Sequence, residues 1–136
     1  RLIQSFGSWS AQLIVAALFL LTHISNPNMT GILKTLACIN IFIASIMFGI
    51  AYMTTASLAM PLGLHFMANF MQGSILGFGV SGDKDPGIFK PVFDNAPIWI
   101  SGGDFGIEAS ILGLCSVIII TICLYNWNPK SLKLNR

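Results

Sequence analysis

The sequence predicts an all-α integral membrane protein, a bundle of about four transmembrane helices. Hydrophobic residues make up 54% of the 136 and charged residues only 9%, and mean hydropathy is +0.77. A soluble domain would carry about a quarter charged residues, so polar surface here is too scarce to cover a globule in water. The apolar residues fall in continuous runs rather than alternating, which excludes β-barrel strands. The net charge of +2 is small and scattered, which argues against a nucleic-acid partner. Residues 1–136 read as one membrane-embedded domain.

A bilayer crossing needs roughly 20 residues. After a short turn at Ser5–Ser8, the first run extends from about Trp9 to Ile24 and is the shortest. The second extends from about Gly31 to Tyr52. The third extends from about Ser57 to Phe78, with Pro61 in its first turns, where a missing N–H is tolerated. The fourth extends from about Ile107 to Tyr125. Between the third and fourth lies a long loop, 79–106, with three of the six prolines and four of the five acidic residues. Its Phe89, Phe93 and Trp99 suit the headgroup level. The tail carries Lys130, Lys133 and Arg136, which by the positive-inside bias places the C-terminus in the cytoplasm. Four crossings then place Arg1 on the same side and the long loop outside.

Several residues read as structural. Cys38, Cys115 and Cys123 lie in apolar runs, form no CxxC, and serve as small hydrophobes. Gly49, Ala51, Ala56, Gly63, Gly73, Gly77 and Gly113 are expected to allow close helix contacts. Met47, Met53, Met60, Met67 and Met71 are expected in the core. Asn28-Met29-Thr30 fits a glycosylation acceptor by chance. Asp104 suits an N-cap for the fourth span, and Glu108 its first turn, where the helix dipole favours negative charge.

Three polar residues inside the runs carry possible chemistry: His23, His65 and Asn69. Four residues is about 400° of helix, so His65 and Asn69 share a face, as do Phe19 and His23. A membrane His or Asn often only bonds a neighbouring helix. Three such groups in hydrocarbon are better satisfied together around one wet cavity. Imidazole can hold water, move protons near neutral pH or bind a metal, and an amide can hold an oxyanion. The set lacks a strong general base.

"SWSAQLIVAALFLLTHISNP" followed by "GIAYMTTASLAMPLGLHFMANF" resembles the CPBP family, the CAAX-protease and bacteriocin-processing intramembrane proteases, also called Abi. "GGDFGIEASIL" is similar to a later stretch in many bacterial members. The family's Phe-x-x-x-His motif appears as Phe19 and His23, and its His-x-x-x-Asn motif as His65 and Asn69. The family's usual Thr-Gly-Ser-Leu run appears with Ala56 in place of Gly. Its Glu-Glu-x-x-x-Arg motif is absent, and no Glu precedes Glu108. That motif is expected upstream of Arg1, on N-terminal helices that this sequence does not include, so the chain alone is not expected to catalyse.

The resemblance implies an intramembrane endopeptidase of the CAAX prenyl protease type in the bilayer of a bacterial cytoplasmic membrane. Its substrate would be a peptide or lipidated protein within the membrane, and His23, His65 and Asn69 would be its catalytic residues. If zinc takes part, His23 and His65 are ligands beside a Glu. If not, Glu is the base, the imidazoles orient water and Asn69 stabilises the oxyanion. A non-catalytic relative, acting as a membrane binding or bacteriocin-immunity protein, is the alternative. A His-based proton relay is weaker, since relays chain carboxylates with His. One geometric condition stands out. His23 lies about 14 residues into its helix and His65 about 8, an offset of roughly 9 Å at 1.5 Å per residue. A shared site requires that offset to be absorbed.

Overall fold

In a computed structural model, which describes residues 1–127, the regular secondary structure is helical, with no strand beyond one isolated Val80–Asp83 bridge among the described residues. The helices are α1 (Leu2–Phe6), α2 (Ser8–His23), α3 (Gly31–Thr55), α4 (Ala59–Asn69), α5 (Ile98–Ser101) and α6 (Ile111–Asn126). α4 continues as a π-helical segment, Phe70–Ile75, and a 3-10 turn, Ile107–Ala109, precedes α6. Lys130, Lys133 and Arg136, on which the orientation of the tail rests, lie outside the described residues.

The four apolar runs are all helical, with shifted ends. Gly7, at φ 78°, separates α1 from α2. α3 is the one helix, among those described, long and apolar enough to cross a membrane. Its 25 residues extend about 37 Å at 1.5 Å per residue. α2 and α6 have 16 residues each, about 24 Å. The third run does not extend as one α-helix to Phe78: it starts late, at Ala59, and changes period after Asn69. The fourth α-helix starts at Ile111 rather than Ile107. Its N-cap is Ser110, whose Oγ accepts from the Gly113 N–H at 3.0 Å and donates to the Ile107 carbonyl at 2.6 Å. Asp104, expected in that role, instead pairs on the surface with Lys84 Nζ at 2.5 Å.

α3 is the organising element, packed against α2, α4 and α6. Two apolar clusters form along it. Met29, Leu33, Ala37, Ile41, Phe105 and Ala109 close one end, with Phe19 and Leu20 against them. Met47, Ile50, Ala51 and Leu124 close the other, with Met60 and Leu64 of α4 and Val117 of α6. Met67 and Met71 are exposed rather than core. Outward-facing apolar residues such as Leu13, Leu18, Leu62, Phe66 and Ile119 cover much of the surface.

Close approach explains only some of the small residues. A Cβ on Gly49 would overlap the Gln12 amide of α2, and one on Gly113 the Ile107 carbonyl. Gly63 faces open space, while Ala56 and Gly77 sit in turns with positive φ. Ala56 ends α3 in the left-handed conformation, φ 51° and ψ 26°, where glycine carries no Cβ penalty. The three cysteines are free thiols. The Asn28 amide nitrogen donates to the Gly82 carbonyl at 3.1 Å.

Two stability outcomes follow, each read by thermal unfolding in detergent. Ala56→Gly stabilises by about 1 kcal/mol through relief of the left-handed backbone. Gly49→Val destabilises by about 1–3 kcal/mol through overpacking of the α2–α3 contact.

Candidate active site

Polar side chains on these apolar helices divide by what they bond. Gln12 Nε2 of α2 donates to the Ser45 carbonyl of α3 at 2.8 Å. Asn40 Nδ2 of α3 donates to the Glu108 carbonyl at 2.5 Å. Gln72 Nε2 of the π segment donates to the Gly79 carbonyl at 2.5 Å. These amides tie helix to helix or helix to loop, the common use of polar groups in such bundles.

His65 and Asn69 behave differently. Neither side chain hydrogen-bonds any described residue, yet no buried side-chain nitrogen or oxygen among them lacks a partner. Both polar ends therefore remain in contact with open space. That space is a cavity of about 260 Å³ beside the middle of α3, lined also by His23, Glu108, Phe48 and Gln72. His65 stacks on Phe48, ring centroids 5.2 Å apart at 29°. Asn69 is the last α-helical residue before the π segment, a change of period frequent at functional sites. Asn69 also borders a second hollow, of about 270 Å³, flanked by Phe66, Phe70 and Asp83. That hollow contains no imidazole.

His23 ends α2 and reaches the same cavity. Its Nδ1 lies 2.7 Å from the Phe19 carbonyl. A carbonyl only accepts, so Nδ1 carries the hydrogen in that bond and neutral imidazole leaves Nε2 with a bare lone pair. Thr22 Oγ1 donates to the same carbonyl at 2.7 Å. The Phe19 ring contacts both imidazoles, 4.6 Å from His23 and 6.5 Å, edge-on, from His65. Phe19, one turn before His23, is the α2 ring against His65, so the two imidazoles meet at one aromatic ring. No hydrogen bond joins the two imidazoles among the described residues.

Glu108 is a correction to the sequence reading. It belongs not to the first turn of α6 but to the 3-10 turn before it, and its carboxylate lines the cavity. Oε2 accepts from the Ser81 N–H at 3.2 Å and the Ser81 Oγ–H at 3.0 Å. Burial pushes this carboxyl above its ordinary range, against the pull of the Ser81 hydrogen bonds and the nearby His23. Asp104 goes the other way, lowered by its hydrogen bond and charge contact with exposed Lys84. One signal separated the two in sequence: Glu108 is the acidic residue flanked directly by apolar neighbours, Ile107 and Ala109, whereas Asp104 follows two glycines.

Among the described residues, no group of three His, Cys, Asp or Glu side chains is arranged to hold a metal ion. If zinc were bound, His23 and His65 would be its imidazole ligands, and a carboxylate beside them would be needed to complete a catalytic site.

Two imidazoles, a carboxamide and a carboxylic acid residue thus line one cavity of a helical fold. The family model for Rce1-like proteins, type II CAAX prenyl endopeptidases, matches residues 1–71. The chain belongs to this family of membrane-associated peptide hydrolases. The match includes His23, His65 and Asn69 and ends before Glu108. Neither the curated proteins nor the solved structures searched contain a match.

The two classes of amide separate on mutation. Gln72→Ala strands the Gly79 carbonyl and costs about 1–3 kcal/mol. Asn69→Ala, which breaks no protein hydrogen bond, changes stability by less than about 0.5 kcal/mol. Unfolding of both variants in detergent measures the difference.

Proposed function

We propose that this chain forms part of an intramembrane endopeptidase of the CAAX prenyl protease type, hydrolysing a peptide bond in a lipidated or membrane-close substrate. The observation that carries the proposal is the pair of unbonded side chains, His65 and Asn69, facing the cavity of His23. Polar groups kept without protein partners in such a setting suit a ligand better than a structural role.

The chemistry follows from the hydrogen-bonding inventory. The bare Nε2 of His23 accepts a proton from water as the water oxygen attacks the scissile carbonyl. His65, held flat on Phe48, offers a second imidazole to position that water or the substrate. The Asn69 Nδ2–H₂ group donates to the developing oxyanion. When the C–N bond breaks, the proton on His23 passes to the leaving amine. A Glu-Glu-x-x-x-Arg segment on another helix, as in relatives of this type, would add the carboxylate base. The apolar lining suits a lipid-modified or hydrophobic peptide. The outward-facing apolar side chains support embedding of α2, α3, α4 and α6 as a bundle in a bacterial cytoplasmic membrane, with the C-terminus in the cytoplasm.

The test is cleavage of a membrane-tethered peptide by the complete protein, with whatever segment its gene encodes upstream of Arg1, reconstituted in liposomes. His65→Ala is expected to lower turnover by at least about 100-fold while the unfolding temperature stays near that of the wild type. Unchanged turnover in that variant would remove His65 from the mechanism, and the proteolytic assignment with it.

A further inference from the structure

Glu108 is the carboxylate on the wall of this cavity, and the chemistry just described does not use it. Its placement is fixed from several sides. Asn40 holds its backbone carbonyl. Ser81 gives both its N–H and its Oγ–H to one carboxylate oxygen, Oε2. Ser81 does so from a left-handed backbone, φ 48°, beside Gly82 at φ 89°. Positive φ at both central residues is the signature of a type I′ turn, here closed by reciprocal Val80–Asp83 backbone hydrogen bonds of 2.8 and 2.9 Å. Asn26 Nδ2 donates to the Ser81 carbonyl at 2.6 Å and Asn28 Nδ2 to that of Gly82 at 3.1 Å. A strained non-glycine residue persists where its surroundings over-determine it, and such residues cluster at functional sites.

With Oε2 engaged twice, Oε1 has no partner among the described residues, and it is not a buried unpaired atom. It therefore keeps accessible surface, and Glu108 and His23 line the same cavity. We propose that Glu108 is a further catalytic residue of this site: Oε1 and His23 Nε2 accept the two hydrogens of one water and aim its lone pair at the scissile carbonyl. The inference rests on the hydrolase reading above. On attack, the O–H directed at His23 breaks and its proton moves to Nε2. The water oxygen forms the new C–O bond, and the carbonyl electron pair moves onto the oxyanion beside Asn69. The second O–H stays intact on the Glu108 side, and the proton on His23 leaves with the amine. Glu108 ends the cycle unchanged. It orients the nucleophile, a geometric contribution of the kind that near-attack positioning supplies.

Glu108→Gln tests this in the same liposome assay. The amide keeps an oxygen for Ser81 and nearly the same shape, but presents N–H₂ where Oε1 accepts. Turnover is expected to fall about 100-fold, with KM within about twofold and the unfolding temperature unchanged. Turnover within about threefold of the wild type, or a loss that appears in KM and unfolding temperature alone, overturns the role. Should the Glu108→Gln variant fail to fold, Glu108→Asp withdraws the acceptor by one methylene; lost turnover at unchanged stability supports the inference, and retained turnover overturns it. His65→Ala run alongside separates the two claims. If His65→Ala is inactive and Glu108→Gln is not, only the role of Glu108 falls; if His65→Ala cleaves like the wild type, both fall.

Discussion

A buried polar group without a hydrogen-bond partner costs several kcal/mol, and that constraint sorts the side chains of this protein. Gln12, Asn40 and Gln72 are discharged onto the carbonyls of Ser45, Glu108 and Gly79. Ser110 closes the start of α6 by bonding both Gly113 and Ile107. Those contacts set the spacing of α2, α6 and the 79–83 turn around α3. His65 and Asn69 make no such bond among the described residues, an arrangement sustainable only if water or a ligand reaches them. The cavity between the two apolar clusters is where that condition is met.

The position of the cavity also follows from α3. Leu33, Ala37 and Ile41 belong to one cluster, and Met47, Ile50 and Ala51 to the other. Asn40, Ala44 and Phe48 fall at the level between and face the cavity. A ring stacked on Phe48 and a lone pair left by the Phe19 carbonyl give the two imidazoles separate supports, so each is oriented without the other. The family match spans the residues that carry His23, His65 and Asn69, and all three line one cavity.

Helix existence was legible from composition because the apolar runs are long and uninterrupted. The shared face of His65 and Asn69 was legible because four residues nearly close one α-turn. That arithmetic stops at Asn69, where the backbone takes up the wider π period, and so Gln72 and its bond to Gly79 could not be read from spacing. Gly63 shows the same limit for small residues: composition marks a site that could admit a neighbour, and no neighbour is there. Glu108 was hidden for a different reason. Its place depends on Ser81, 27 residues away, whose left-handed turn is itself pinned by Asn26 and Asn28. Contacts between loops leave no periodic trace in a sequence, and local capping chemistry offered a simpler explanation for an acid near a helix start.

α4 contains no buried residue. It carries His65 and Asn69, and its inward contacts are the partly buried Met60 and Leu64 against the cluster at one end of α3 and the His65 ring against Phe48 and Phe19. Segments with so few buried contacts are the ones that open at low cost. The helix that carries His65 and Asn69 on the cavity wall is thus fastened by few buried contacts. Loosening of α4 opens the cavity along its side while the buried residues of both clusters on α3 stay packed.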